Sequence, residues 1–432
     1  MQRRFSQCCQ RSKPRDMKNI FTKLLPLLVA PLLFTACMKD KCTRTYTFYE
    51  PVYKTTEQVR ANIKSNSPRP VEHPGKLFIR GNYIFLNEID RGIHIIDNTY
   101  PASPKNVAFI DIPGNVDVAV KGNSLYADCY IDMVTIDISN PLNVSVKKYI
   151  DNAFPFRRYS NGFVPEANMV IADWIRKDTT VTIDCESGDG FWGTCRGCFA
   201  LDAVSMNKTS TPFGAGVSGS MARFSIINNF LYTVTQDKLN VFDIAQPNNP
   251  QFSNAVNIGW SIETIYPFKD KLFIGSQSGM FIYGTQNAYS PNKLGNFDHA
   301  RVCDPVIADD HYAYVTLRSG STCQGFTNQL DILNIDNITA PSLVRTYQLT
   351  NPHGLSKDGS LLFICDGKDG VKIYDATDAY NIHLIKRIEN IETYDVIAYN
   401  KIALVVAKDG LYQFDYTDVK NIQLLSKIGY TK

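Results

Sequence analysis

Residues Val116–Ile150 read VDVAVKGNSLYADCYIDMVTIDISNPLNVSVKKYI, and the organisation of the chain can be worked out from this stretch. It contains four short runs, VDVAV, SLYADC, MVTIDI and VSVKKYI, in which apolar and polar residues roughly alternate. Lys121-Gly122-Asn123 supplies the first turn residues and Ser139-Asn140-Pro141 the last. Alternation bounded by turn residues predicts four half-buried β-strands in succession.

One feature of this unit recurs along the chain: an apolar strand ends in Asp and is followed by a polar turn. The marker residues are Asp97, Asp137, Asp243, Asp336, Asp375 and Asp415, and Gly284 takes the place of the acid in MFIYGTQNAYSP. Where no insertion intervenes, successive markers are 39 to 41 residues apart. A period of about 40 residues with four strands per unit is typical of β-propeller blades.

The sequence therefore predicts an all-β fold, a β-propeller of four-stranded blades. Counting gives eight units, so we favour eight blades. The units are 75–115, 116–152, 153–218, 219–260, 261–301, 302–354, 355–391 and 392–432. Seven blades is the alternative, in case the weakly patterned unit 153–218 is an insertion. In that unit Met169–Ile175 and Val181–Asp184 are the expected strands. We expect the last blade to close against the first, with Thr45–Tyr53 as an added edge strand.

The marker aspartates have a simple structural interpretation. At the end of a strand, an Asp carboxylate can accept backbone N–H groups of the following turn, as in an Asx-turn. A residue that recurs in almost every blade is expected to serve the turn of that blade rather than catalysis.

The repeats resemble the LVIVD-repeat family of bacterial β-propeller proteins. The resemblance is carried by Ile93–Pro101, Val134–Pro141, Val241–Pro247 and Val371–Asp375, and similar spacing covers most of the chain after Pro74. It implies a propeller at the envelope of a Gram-negative bacterium, in a family whose members largely lack an assigned activity.

The first 36 residues are expected to be a leader. A second start at Met17 is followed by Lys18 and Lys23, and then by the apolar run Leu24–Phe34. This layout is typical of a secretory signal. Phe34-Thr35-Ala36 before Cys37 resembles a bacterial lipobox, which predicts that Cys37 is lipid-modified and anchors the protein, with the outer membrane favoured. An ordinary cleaved signal peptide is the alternative.

The remaining chain divides into a tether and N-terminal extension, 37–74, and the propeller, 75–432, with insertions near 185–217 and 318–328. In the extension we expect a short helix capped by Thr56. Residues 1–36 carry seven Lys and Arg and one Asp, so they account for +6 of a chain whose net charge is +3. The mature part is thus about −3, which argues against a nucleic-acid partner.

Aligning the units places a mixed set of polar and aromatic side chains where the first strand of each blade begins, at one mouth of the central channel. The candidates are Asp117, Arg158 (or Arg157), Arg223, Trp260, Glu263, Asp304, His353 and Asp395, with Phe156 and Tyr394 nearby. Arginine forks, carboxylates and flat rings suit a polar ligand such as a glycan or a peptide. The alternative is that these charges pair with one another and plug the channel. His353 is a candidate of particular interest because histidine can change its protonation state near neutral pH.

The cysteines predict disulfides rather than a metal site. Cys185, Cys195 and Cys198 lie in a glycine-rich insertion, and Cys303 and Cys323 bracket the second insertion. In an oxidising compartment structural disulfides are favoured for both groups. Cys129 and Cys365 are expected to be buried free thiols on second strands.

No nucleophile elbow, phosphate loop, dinucleotide fingerprint or HExxH motif occurs, and we expect neither cofactor nor metal. The favoured function is an envelope-anchored lipoprotein that binds a protein or glycan, or acts as a scaffold. The alternative is a hydrolase or lyase acting on a polysaccharide or lactone through Asp117, Glu263 and Asp395 with His353.

Overall fold

The computed structural model describes residues 41–154, 165–166, 168–184, 220–298, 305–319 and 327–431. The described residues belong to two compact units. One contains residues 41–50 and 175–184, and the other contains the rest. Within the described residues, no helix has the length and apolar character needed to cross a membrane.

Strands β1 (Lys41–Thr55) and β11 (Met169–Asp184) pair as a two-stranded ribbon, and residues 41–50 and 175–184 of these strands are the described part of the smaller unit. Thr45 bonds Thr180 at 3.0 Å, and Thr47 donates to Asp178 at 2.6 Å, which is the antiparallel sense. Helix α1 (Thr56–Arg60) follows β1 and is capped by Thr55 in a capping box, so the predicted cap at Thr56 was one residue late. Thr55 is the N-cap because its hydroxyl oxygen accepts a hydrogen bond from the backbone N–H of Gln58, at the third helical position.

The larger unit contains seven blades of four antiparallel strands. Blade 1 consists of β3 (Pro74–Arg80), β4 (Tyr83–Glu88), β5 (Gly92–Asp97) and β6 (Lys105–Asp111). Blade 2 consists of β7 (Val118–Lys121), β8 (Ser124–Cys129), β9 (Asp132–Asp137) and β10 (Ser145–Ile150). Blade 3 consists of β12 (Phe224–Ile227), β13 (Phe230–Val234), β14 (Lys238–Asp243) and β15 (Gln251–Asn257). Blades 4 and 5 are β16 (Ile262–Phe268), β17 (Lys271–Ser276), β18 (Gly279–Gly284) and β19 (Asn292–Asp298); and β20 (Val306–Ala308), β21 (Tyr312–Leu317), β22 (Gln329–Asn334) and β23 (Ser342–Gln348). Blades 6 and 7 are β24 (Leu355–Asp358), β25 (Leu361–Cys365), β26 (Val371–Asp375) and β27 (His383–Ile388); and β28 (Thr393–Tyr399), β29 (Ile402–Ala407), β30 (Gly410–Asp415) and β31 (Gln423–Gly429). The first strand of each blade contacts the first strand of the next, so these strands line the axis.

The second and third strands carry the core, because they are buried on both faces. In blade 7, for example, Leu404, Val405 and Val406 are all buried, whereas most of β31 is exposed or half-buried. Every blade also has a register irregularity between its third and fourth strands, just before the marker position. Such bulges increase the local twist of an antiparallel pair.

The prediction of eight blades was wrong. The described part of unit 153–218 contributes no blade: the two strands expected there are one long strand, β11, and its partner is β1. Thr45–Tyr53 does lie in a strand, but it is not the added edge of the propeller. That edge is β2 (Lys64–Asn66), which pairs with β6 as a fifth strand of blade 1.

The ring closes between blade 7 and blade 1 without exchange of a strand. Apolar side chains of both blades form one buried cluster; its buried members are Val71, Leu77, Ile84, Leu86, Ile96, Ile397, Leu404, Val406 and Leu411. Asn98 and Gln413 exchange two amide hydrogen bonds of 3.0 and 2.7 Å across the join. The Thr431 N–H donates to the carbonyl of Val71 at 2.8 Å. Closure of the last blade on the first is thus confirmed.

The marker residues behave as turn-forming acids. Carboxylates accept the backbone N–H two residues later at 2.8 to 2.9 Å; these are Asp97, Asp137, Asp243, Asp375 and Asp415. The exception is Asp336. In blade 5 the third strand ends at Asn334, whose amide oxygen accepts the Asp336 N–H at 3.0 Å. The marker of blade 5 was therefore placed two residues too late.

Candidate functional site

The axis of the propeller contains a buried ion pair between the first two blades. Lys76, in the innermost strand of blade 1, is 0% exposed, and its Nζ lies 2.6 Å from Oδ2 of Asp117. Asp117 also accepts the N–H groups of Val118 and Arg223, each at 2.7 Å. Burial lowers the pKa of Lys76 and raises the pKa of Asp117, so the pairing offsets two desolvation costs.

A short segment of backbone, Ser220–Ala222, crosses the axis. Ser220 Oγ accepts the Leu355 N–H of blade 6 at 2.8 Å. The carbonyl of Met221 accepts from Lys76 of blade 1 at 3.3 Å, and that of Ala222 accepts the Ile265 N–H of blade 4 at 2.6 Å. Because these partners belong to blades on different sides of the ring, the segment fills the channel at this level. All three of its residues are buried.

The predicted rim residues begin the first strands, as expected, but they differ in environment. Asp117, Arg223, Trp260, Glu263, His353 and Asp395 lie at or just before the start of β7, β12, β16, β24 and β28. Asp117 and Asp395 are deeply buried, whereas Trp260 is 53% exposed. Phe156, Arg157, Arg158 and Asp304 lie outside the described residues.

Asp395 is the most unusual ionisable group at the axis. Its residue is 2% exposed, and neither carboxylate oxygen has a hydrogen-bond partner among the described residues. The side chain packs on Gly354, where a Cβ would lie 2.0 Å from Oδ1. Desolvation raises the pKa of Asp395 to about 7, although the Val396 N–H and Lys76 favour the charged form.

His353 precedes Gly354 and is 5% exposed. Thr316 donates to its carbonyl at 2.7 Å, its ring contacts Tyr394, and the Asn351 amide lies 3.2 Å from Nε2. Burial and the charge of Arg318 lower the pKa of His353 to about 3. The lowered pKa favours the neutral imidazole near pH 7, which suits a hydrogen-bonded structural histidine.

The mouth is held in shape by acids at the ends of second strands, which sequence reasoning missed. Asp128 accepts the N–H groups of Val116 and Asp117, both at 2.8 Å. Asp366 does the same for Thr350 and Asn351, at 3.0 and 2.7 Å. In blade 1, Glu88 binds the N–H groups before β3 and the ring of His94. The sequence signal is an acid that ends the second strand.

Two arginines at this mouth stand out because neither guanidinium has a partner among the described residues. Arg223 precedes β12, and Arg318 follows β21. Within the described part of the chain, neither guanidinium has a hydrogen bond or ion pair, and the Arg223 Nε is buried without a partner. Desolvation lowers the pKa of Arg318, with Glu263 acting in the opposite sense. The Glu263 carboxylate itself accepts a hydrogen bond of 3.0 Å from the Gln277 side chain.

The opposite face of the ring is different, because basic side chains there bridge neighbouring blades. Lys121 donates to the Asn228 carbonyl at 2.7 Å, and Lys401 lies 2.7 Å from the Asp358 carboxylate. Further bridges are Arg80 with Asn123, Lys269 with Asp310, and Lys357 with Asp309. These described cations join neighbouring blades, whereas Arg223 and Arg318 at the mouth do not.

Cys37 and the proposed disulfide cysteines, Cys185, Cys195, Cys198, Cys303 and Cys323, lie outside the described residues. Cys129 and Cys365 end the second strands of their blades and are buried, as predicted, and Cys365 is a free thiol. Among the described residues, no three His, Cys, Asp or Glu side chains are grouped closely enough to hold a metal ion.

Comparison with known proteins supports the architecture. The LVIVD repeat model matches residues 114–151, which is the second blade. No curated protein matches the chain.

Solved structures resemble the chain at the level of fold alone. A periplasmic gluconolactonase of Pseudomonas aeruginosa is 9% identical, with a TM-score of 0.52 over 85% of this chain and 96% of the other. A protein from Lactobacillus plantarum is 12% identical, with a TM-score of 0.52 over 90% and 97%. The computationally designed Ika8 protein is 9% identical, with a TM-score of 0.51 over 84% and 88%.

Proposed function

We propose that this chain, which carries an LVIVD repeat within a seven-bladed β-propeller, is a binding or scaffold module anchored in the bacterial envelope through a lipid on Cys37. Its ligand is a protein or glycan that docks at the channel mouth. The leader and the lipobox-like residues before Cys37 support export and anchoring.

The observation that carries the binding role is the filled axis. Ser220–Ala222 and the Lys76–Asp117 pair occupy the channel below the mouth. A glycosidase needs two carboxyl groups on either side of an accessible bond. Asp117 is held by Lys76 and two backbone N–H groups, which suits a structural role better than proton transfer.

A hydrolase or lyase is the second candidate, and Asp395 is the observation in its favour. A carboxyl group with a pKa of about 7 suits general acid–base chemistry at neutral pH. Its 2% exposure argues against direct contact with a substrate. Turnover of a lactone or polysaccharide by the purified protein, abolished in Asp395→Asn, would replace the binding role with catalysis.

Anchoring is tested by expressing the full chain in a Gram-negative host and separating membrane from soluble fractions. Cys37→Ala is expected to move the protein to the soluble fraction. Cys42→Ala is the matched control, since it removes a cysteine five residues later, and it should remain with the membrane. Retention of Cys37→Ala on membranes would remove the lipid anchor from the proposal.

A further inference from the structure

Two guanidinium groups at the mouth have no hydrogen bond or ion pair among the described residues. Arg223 and Arg318 come from blades 3 and 5, on either side of blade 4. Both are half-buried, and neither finds an acceptor in the described chain. Partly buried polar groups normally have partners, and an exception calls for an explanation such as a missing ligand.

Both side chains belong to the region of the axis. The backbone N–H of Arg223 donates to Asp117, and the charge of Arg223 acts on the buried Lys76. Arg318 lies two residues beyond Thr316, whose hydroxyl bonds the His353 carbonyl, and its charge acts on His353. Alternate residues of an extended strand share a face, so Arg318 projects on the same side as Thr316.

The described acids form no ion pair with either arginine. Asp117 is paired with Lys76, and Glu263, which accepts from Gln277, acts on Arg318 only from beyond ion-pair distance. Asp395 is buried beside Gly354 and has no contact with either guanidinium. The mouth therefore presents two arginine forks, a geometry that fits carboxylates through paired N–H donors.

From these observations we infer that the mouth binds an acidic saccharide, with carboxylates of its sugar acids held by Arg223 and Arg318. Trp260 lies between the two arginines in blade order and is 53% exposed. An indole with an exposed face at the same mouth offers a flat surface on which a sugar ring can stack, which favours a saccharide over an acidic peptide. The inference rests on the proposed function and specifies the ligand chemistry of the same site.

The test measures binding of trigalacturonic acid to the detergent-solubilised full chain by titration calorimetry. The methyl ester of the same trisaccharide keeps the sugar rings but removes the charges. We expect the acid to bind and the ester to bind at least about tenfold more weakly, since charge-assisted hydrogen bonds are lost. Binding of the acid should weaken at higher salt.

The variants identify the site. Arg318→Gln and Arg223→Gln should each weaken binding of the acid at least about tenfold. Arg345→Gln is the matched control, an exposed arginine on the outer strand of blade 5, and should bind as the parent does. Thermal unfolding checks that each variant is folded, and Arg318→Lys, which keeps the charge but loses the fork, should fall between parent and Arg318→Gln.

Absence of binding to trigalacturonic acid, or equal loss in Arg345→Gln, would overturn the inference. Equally tight, Arg318-dependent binding of triglutamate would overturn the assignment to saccharide. None of these results affects membrane anchoring. Cleavage of the trisaccharide during the titration, detected by mass spectrometry, would instead overturn the proposed non-catalytic function.

Discussion

At the scale of single residues, buried ionisable side chains near the axis occur in two states, one paired with an opposite charge and one without a hydrogen bond. Lys76 and Asp117 form a pair with further hydrogen bonds to backbone groups. Asp395 is equally buried but has no hydrogen-bond partner among the described residues. A buried carboxyl in that state favours its protonated form, so it makes the stability of the fold dependent on pH.

Asp395→Asn is expected to remove a loss of stability that develops as pH rises from about 4 to about 7. The folded pKa is raised from 3.8 to about 7, so the contribution of Asp395 is full below pH 3.8 and is lost as pH rises through 7. The shift corresponds to at most about 4 kcal/mol. Urea unfolding at pH 5 and pH 8 should show a smaller pH difference in Asp395→Asn than in the parent. An unchanged difference, equal to that of the exposed Asp298→Asn, would contradict this.

Lys76→Met is expected to be strongly destabilising. It leaves the Asp117 carboxylate buried without its cation, which costs about 3–5 kcal/mol in comparable pairs. Lys105→Met, on the exposed start of β6, is the control and should be near neutral. Adding Asp117→Asn to Lys76→Met should recover part of the loss, because the amide oxygen still accepts backbone N–H groups. Denaturant unfolding measures all four proteins, and equal stability of the two lysine variants would disprove the role of the pair.

At the scale of strands and turns, much was predictable because the local signals repeat. Apolar runs, turn residues and the marker acids located most strands and the Asx-turns. Blade 5 failed because LDILNID offers both Asn334 and Asp336, and either residue type can form such a turn. Only the pairing of Asn334 with Ser342 places the strand end.

Asp375→Ala and Asp336→Ala test that distinction. Asp375 accepts both the N–H and the hydroxyl of Thr377, at 2.9 and 2.6 Å, so its loss should lower the melting temperature by about 1–2 °C. Asp336 lies beyond its strand, where Asn334 forms the turn, so Asp336→Ala should have a smaller effect. Differential scanning calorimetry compares them, and a larger loss in Asp336→Ala would reverse the assignment.

At the scale of the whole molecule, prediction failed where partners are distant in sequence. Met169–Asp184 has the pattern of blade strands, but no local signal reveals that its partner is Lys41–Thr55. From the sequence alone, Lys76 would be taken for an exposed lysine, and only the folded structure shows that Asp117 of blade 2 lies beside it. Ser220–Ala222 has no sequence pattern that predicts its position, because it occupies the axis mainly through backbone carbonyl contacts, which do not depend on residue type. The described candidate residues do lie where first strands begin, as the aligned units predicted, but their burial and pairing depend on distant partners and were not predictable.

The join between the last and first blades gives a prediction at this scale. Tyr430 packs against the shared apolar cluster, and its buried hydroxyl has no partner among the described residues. Tyr430→Ala should destabilise the protein by about 3 kcal/mol through lost packing. Tyr430→Phe should be neutral or slightly stabilising, because it removes only the unsatisfied hydroxyl. Thermal unfolding separates the two, and similar losses in both would show that the hydroxyl has a partner.

Closure through side chains and the Thr431–Val71 hydrogen bond has a consequence for the newly made protein. Before blade 7 has folded against blade 1, the apolar side chains that the two blades share are exposed, and hydrophobic surface of that kind favours aggregation. Packing of blade 7 on blade 1 covers these apolar side chains on both blades, so ring closure protects the folded propeller from association through them.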